Sequence, residues 1–586
     1  MKKIINTPKT LVPEMCSGIA LVHPELEFVK KYKVIKKRQI DPKKVSLISG
    51  GGSGHEPAHA GYVGKGMLDA AVCGDVFASP SQIQVYQAIK EAAGEQGVLL
   101  IIKNYSGDMM NFKNAAYLAK EDGIPVDYVK VDDDIAVKDS LYTVGRRGVA
   151  GTVLVHKTAG AAAEKGYDLA RVKAAAEHAV ANVRSIGFAL DSCTVPAKGT
   201  PTFEMQEHEM EYGVGIHGEP GIQREAMSTA DELAERMSTS LLEELCVKEN
   251  DEVTMLVNGF GSTPLQELYL FANAVAKVLK EKKVRLYRSF AGNYMTSIDM
   301  SGASLSIMKM DAELKELLDA PCDAPAFSVK GPVPSRQYEP FLAANAETIE
   351  HPEELLTDES FAVIRQEEIS VGNLMYMIDL MSACIIENEV PFCELDAHAG
   401  DGDFGMSVAK GFRQLKNEWK ELTEHHGADM GAFLDAASMV IMEHCGGASG
   451  PIWGSAFRAA GKCVVGKTKL TSEEFADLLQ HAVQGVQKTG ERSFGRGAVV
   501  GDKTLIDALV PCADAWSAGS KQGYRIKELF AQAAQAAVNG AKATEQIVAR
   551  MGRAGTVGKR SIGYPDAGAY ALGVIFSNIA QEMTFA

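Results

Sequence analysis

Two textures of apolar and polar positions follow one another along this chain. Up to about residue 185, short apolar runs of strand length take turns with stretches of helical period. Val45-Ser-Leu-Ile-Ser49, Gly97 to Ile102, Pro125 to Val131 and Gly151 to Val155 read as strands, and an alanine-rich stretch from Ala159 to Val183 reads as one helix. This alternation predicts a largely parallel sheet covered by helices. Val253-Thr-Met-Leu-Val257 and the alternating Ala303-Ser-Leu-Ser-Ile-Met308 predict strands of a second α/β unit over residues 186–330. Prolines then become frequent and periodicity fades, which marks a linker over residues 331–356.

Beyond the linker the pattern is helical. Val371, Leu374, Ile378, Met381 and Ile385 keep one apolar face. Thr471 and Glu474 form a capping box ahead of Phe475, Leu478, Leu479, Ala482, Val483 and Val486. Another alanine-rich helix is expected over Ile526 to Arg550. No stretch here reads as a strand. The expected fold is multi-domain: two α/β units, 1–185 and 186–330, then an all-α domain over 357–586 whose Met and Phe stripes are core.

Composition narrows the function classes. The 586 residues are 46% hydrophobic and 23% charged, ordinary globular material, with a formal net charge of −16. That balance argues against a nucleic-acid partner and offers no basic face to anionic lipid. An anionic substrate would have to be held by local devices such as metals, glycine-rich loops and helix N-termini. The ten cysteines contain no CxxC pair, so reduced thiols and a cytoplasmic location are expected. No run of eighteen apolar residues occurs, so no membrane span is expected.

Candidate chemistry sits in the loops. Asp396-Ala-His-Ala-Gly-Asp401-Gly-Asp403 gathers three carboxylates among glycines, a pattern that suits a hard cation such as Mg²⁺ and equally a solvated acidic turn. An EF-hand is disfavoured, because Ser407 stands where its closing Glu belongs. The run Val45–Ser49 feeds Gly50-Gly51-Gly52-Ser53-Gly54-His55-Glu56-Pro57, and the run ending at Ile102 feeds Lys103-Asn104-Tyr105-Ser106-Gly107-Asp108. Polar groups just past a buried strand are where α/β proteins place ligands, although glycine runs are also plain turns. His217 lies between glycines in Gly213-Val-Gly-Ile-His217-Gly, open to close approach by a small ligand; a neutral imidazole there is a nucleophile toward a carbonyl. Three further glycine loops, around Ser449, Gly501-Asp502-Lys503-Thr504, and Gly552 to Gly568, look like the rim of a nucleotide site.

Taken together these motifs closely resemble the single-chain dihydroxyacetone (glycerone) kinases, and the resemblance covers nearly the whole chain. It implies a substrate-binding K domain over 1–330 and an ATP-binding L domain over 357–586, the latter an eight-helix barrel. It implies ATP as donor, two Mg²⁺ ions, a small ketose substrate and a homodimer. By that resemblance the ketone is held as a hemiaminal on His217, His55 hydrogen-bonds it, and Asp108 takes the proton of the attacking hydroxyl. Gly52, Ser53, Gly54 and Lys103 match the remaining substrate contacts, and Asp396, Asp401 and Asp403 match the metal ligands. Nucleotide contacts carry over to Phe404, Gly405, Met406, Ser407, Ala448, Ser449, Gly497, Leu505, Arg553, Asp566, Ala567 and Gly568. The chain departs from the common pattern at Tyr564, usually His, at Ala567, usually Pro, and at His398, where an apolar or small residue is frequent. Related readings are a kinase for erythrulose or glyceraldehyde, an FMN-cyclising FAD lyase, and a ketone-sensing regulator. Separate-chain relatives draw phosphate from a phosphotransferase system and retain ADP, so fusion favours free ATP.

Overall fold

A computed structural model describes residues 2–137, 145–218, 221–333, 339–341, 353–551, 555 and 558–586. The chain forms two compact units, Met1–Leu342 and Ala343–Ala586.

The first unit is built on two six-stranded sheets. The first holds β1 (Leu26–Val29), β2 (Val34–Lys37), β3 (Ser46–Ser53), β4 (Ala70–Val76), β5 (Val98–Lys103) and β6 (Val126–Val131) in the order β1-β2-β4-β3-β5-β6. It is parallel from β4 through β3 and β5 to β6, with an antiparallel edge at β1 and β2. Its central strands are buried on both faces, which is why they read as continuous apolar runs. The second holds β7 (Val183–Ala189), β8 (Glu209–Tyr212), β9 (Gln223–Ala226), β10 (Glu252–Gly259), β11 (Arg285–Gly292) and β12 (Gly302–Met310) in the order β11-β10-β12-β7-β8-β9. Here β10 and β11 are parallel, and the other pairs are antiparallel.

Two expectations fail in this unit. Residues 151–155 are not a strand but the start of the helix Thr152–Glu164, which is buried on every face, so its apolar run has no helical period to betray it. The single helix expected over 159–183 is two, Thr152–Glu164 and Leu169–Asn182. Gly166 takes a left-handed φ of 73° between them, and the Asp168 carboxylate caps the second by accepting from the Arg171 amide.

The second unit is helical. Eight long helices, Val371–Glu387, Phe404–Asn417, Met430–His444, Ser449–Cys463, Ser472–Phe494, Ile506–Lys521, Ile526–Ala543 and Ala567–Glu582, pack each on the next, and the last packs on the first. This closed ring surrounds an apolar cavity of about 140 Å³ lined by Ile378, Trp453, Phe457, Phe475 and Trp516 among others. The capping box at Thr471 and Glu474 forms. The helix from Ile526 ends at Ala543 rather than Arg550, because the chain turns at Thr544 to present carbonyls to Lys503. Two-residue strand pairs fasten Val363–Ile364 to Thr584–Phe585 and Ile369–Ser370 to Lys469–Leu470. Among the described residues no helix is long and apolar enough to cross a membrane.

Candidate functional site

In the first unit, loops at the carboxyl ends of parallel strands meet loops of the second sheet. β3 delivers Gly54 and His55, the loop after β4 delivers Phe77 and Ser79, and β5 ends in Lys103. Asp108 stands in the first turn of the helix Ser106–Glu121. From the other sheet come His217, in the loop after β8, and Thr296, after β11.

His55 is fully buried, and its Nδ1 lies 2.8 Å from the Thr296 carbonyl oxygen. Its Nε2 lies 3.1 Å from Nε2 of His217. The two rings meet edge-on, Phe77 stacks on His55, and Tyr105 and Phe77 both stand edge-on to His217. Burial, with nearby His217 and Lys103, pushes His55 well below the ordinary histidine range, so the imidazole is neutral. Asp108, 2% exposed, accepts from the Ser79 hydroxyl at 2.5 Å and pairs with Lys103 Nζ at 3.4 Å.

The glycines have defined tasks. A Cβ on Gly52 would lie 2.6 Å from the Ala78 amide nitrogen. Gly54 has φ of 106°, and a Cβ there would meet the Phe77 ring at 2.8 Å. The Ser53 hydroxyl is already committed, donating to the Gly74 carbonyl at 2.7 Å. The structure thus brings together His55, His217, Lys103 and Asp108. It adds Phe77, Ser79, Tyr105 and Thr296, of which only Tyr105 stood in a motif.

In the helical unit, the four glycine loops each precede a helix, at Phe404, Ser449, Ile506 and Ala567. They border one cavity of about 210 Å³, lined by Asp396, Asp401, Asp403, Phe404, Ser407, Ala448, Ser449, Leu505, Asp566, Ala567 and Gly568. Helix N-termini carry partial positive charge, but four carboxylates line the same cavity, so an anion there would need a cation beside it. Gly405, Met406 and Gly497 do not line it. Gly405 instead allows close helix packing, since a Cβ there would strike the Glu389 carbonyl. Arg553 lies outside the described residues, as does most of the linker.

Asp396, Asp401 and Asp403 each offer an oxygen within 4.8 Å of the others. Burial lifts the Asp396 carboxyl above its ordinary range, and the charges of Asp401 and Asp403 add to the lift. All-oxygen donors with mutual repulsion that a cation would relieve fit Mg²⁺. Asp566, part-buried, is pushed up to about 7 chiefly by desolvation, while its carboxylate accepts from the Ala569 amide. The lysine of Gly501-Asp502-Lys503-Thr504 is committed to the scaffold. Its ammonium donates to the carbonyls of Ser561 at 2.5 Å and of Thr544 and Tyr564 at 2.7 Å.

Residues 17–326 match the Dak1 domain and residues 398–581 the DAK2 domain. The chain is 34% identical over 588 residues to the L-erythrulose kinase of Pectobacterium atrosepticum, covering 100% of this chain and 97% of that one. It is 33% identical over 592 residues to the triokinase/FMN cyclase of Rattus norvegicus, covering 99% of each. The first 56% of the chain is 50% identical over 329 residues to the whole dihydroxyacetone-binding subunit of PTS-dependent dihydroxyacetone kinase 1 of Listeria innocua. The solved dihydroxyacetone kinase of C. freundii in complex with AMP-PNP and Mg²⁺ is similar over 99% of both chains, with a TM-score of 0.61 at 29% identity. An α/β unit joined to a helical unit is the architecture this chain shares with those kinases. More closely, this chain belongs to the dihydroxyacetone kinase family, with its Dak1 and Dak2 domains fused in one chain.

Proposed function

We propose that this chain is an ATP-dependent kinase of a short ketose, dihydroxyacetone before others, which captures its substrate as a hemiaminal on His217. The observation that carries this reading is the 3.1 Å contact between the Nε2 atoms of His55 and His217. The Thr296 carbonyl only accepts, so Nδ1 of neutral His55 keeps its proton and Nε2 is left as an acceptor. His217 therefore donates from Nε2 in the resting site. As a ketone arrives, that proton passes to His55 while the freed lone pair of His217 Nε2 forms a bond to the carbonyl carbon. The carbonyl π pair moves to oxygen, which takes the proton back from His55. N–H plus C=O gives N–C–O–H, with nothing left over. Glycerol, which has no carbonyl, is not captured.

Asp108, held by Ser79 and Lys103, receives the proton of the terminal hydroxyl as that oxygen bonds to the γ-phosphorus and the bond to the β,γ-bridging oxygen breaks, releasing ADP. The helical unit carries the donor: Asp396, Asp401 and Asp403 would hold two Mg²⁺ ions, and helix N-termini would face the phosphates. Bound Mg²⁺ neutralises the triphosphate. A homodimer and a cytoplasmic location belong to the same reading.

One observation favours a second source of phosphate. The N-terminal unit is more similar to a PTS-dependent subunit than the whole chain is to its fused relatives. Purified protein with Mg·ATP and dihydroxyacetone, and no phosphotransferase proteins, separates the two by ADP release. Repeated turnover on dihydroxyacetone and none on glycerol supports the ATP kinase. A faster rate on erythrulose keeps the chemistry and changes the substrate. A single turnover per chain points to a retained nucleotide. No turnover on any ketone sinks the kinase reading and turns attention to FAD cleavage.

A further inference from the structure

We infer that Lys503, Tyr564 and His398 form a strut that holds the acidic turn Asp396–Asp403 in its cation-binding shape before a cation arrives. The inference rests on the metal-site part of the proposed function. Three carboxylates drawn within 4.8 Å of one another repel. The turn that carries them includes Gly400 and Gly402, with φ of 77° at Gly402, so its backbone has many open alternatives. Within the turn the Gly402 amide donates to the Asp396 carboxylate at 2.9 Å, and contacts from outside the turn add to that hold.

His398 supplies the point of attachment. It sits between Asp396 and Asp401, and its imidazole lies flat on the Tyr564 ring, with 3.6 Å between centroids and 6° between planes. Tyr564 is in turn fixed from behind. Its carbonyl accepts from Lys503 Nζ at 2.7 Å, and the same ammonium, on a side chain 2% exposed, holds the carbonyls of Thr544 and Ser561. The neighbours of Tyr564 are tied to the same turn. The Gly563 amide donates to the Glu545 carbonyl at 2.9 Å, and the Asp566 amide donates to the Thr544 hydroxyl at 2.8 Å. Position is thus passed from the buried lysine through the backbone of Tyr564 and its 45% exposed ring to the middle of the acidic turn. The two departures at His398 and Tyr564, unrelated in the sequence, are one contact in space. These are positioning residues: each acts on the acidic turn through its neighbour in the strut.

Mn²⁺, a paramagnetic substitute for Mg²⁺, is titrated into the full chain without nucleotide, and the free ion is read by electron paramagnetic resonance. His398→Ala and Tyr564→Leu are each expected to weaken Mn²⁺ binding by about three- to ten-fold, the range that a stacked aromatic pair supports. The double variant loses no more than either single one, because both remove the same contact. Tyr564→Phe, which keeps the ring, binds as the wild type does. Unchanged binding in both single variants overturns the strut, and so does an additive loss in the double variant. Because His398 is exposed, its variant carries the test if Tyr564→Leu alters the unfolding temperature. A wild-type chain that binds Mn²⁺ but phosphorylates no ketone loses the proposed function and keeps the strut. One that binds no Mn²⁺ loses the strut.

Discussion

His55 and His217 meet Nε2 to Nε2 at 3.1 Å, although 162 positions separate them in the chain. The contact joins the end of β3 to the loop after β8, and the Thr296 carbonyl decides which way its proton points. His217→Ala removes the nitrogen that forms the adduct. Its kcat/KM for dihydroxyacetone is expected to fall roughly 10²–10⁴-fold. Intact-protein mass spectra check the cause: with ketone present, wild type gains the mass of one ketone and the variant does not.

Asp108→Asn separates capture from transfer. The amide fills the same space between Ser79 and Lys103 but takes no proton, so kcat falls roughly 10²–10⁴-fold while KM stays near the wild-type value. The ketone adduct still appears in the mass spectrum. Equal losses in KM and adduct would mean that Asp108 binds rather than transfers.

Acid should weaken the first unit through buried histidines that are neutral in the resting fold. His59 and His156 share one hydrogen bond of 3.0 Å in the core. Burial, aided by Lys103, pushes His156 down to about 3, and burial also holds His55 and His59 well below the usual value of 6.5. Below pH 6.5 the unfolded chain binds protons that the folded chain refuses, so stability falls as pH falls, until about 3 for His156. For His156 alone the loss is about 2 kcal/mol between about pH 6.5 and 5. Urea unfolding at those two pH values measures it, and a flat midpoint would mean that the unit opens to water around these rings.

Lys503→Met leaves the carbonyls of Thr544, Ser561 and Tyr564 without their shared donor. A buried acceptor left unpaired costs about 1–3 kcal/mol, so the helical unit is expected to lose about 3 kcal/mol or more. Its unfolding transition should drop while that of the first unit stays in place. A lysine that served only to contact phosphate would lower ATP affinity and leave this transition unchanged.

Much of the architecture was legible because burial leaves periods. β3, β5 and β10 stood out as apolar runs, β6 as a strand-length piece, β12 by its alternation, and the helix from Val371 as a stripe. The errors fell where burial erases the period. Residues 152–163 are helical yet buried all round, with an apolar first turn that passed for a strand. The join at Gly166 was hidden inside a longer alanine-rich stretch. The site residues in glycine motifs were visible for a different reason. Glycine at 52 and 54 is demanded by approach distances of 2.6 and 2.8 Å, and such runs stand out in any sequence.

The sequence by itself determined the reactive groups: a histidine between glycines, a carboxylate past a strand, and three aspartates in one turn. These are local patterns, set by backbone needs within a few residues of each other. Only the tertiary structure decided how the groups act on one another. It set Thr296 against His55, Ser79 against Asp108, and His398 against Tyr564, and it turned Lys503 toward the scaffold. Each of these pairings joins residues far apart in the chain, brought together by sheet edges and by closure of a helical ring. A hydrogen bond or ring contact of that kind leaves no spacing in the sequence, because neither partner's own neighbours require it.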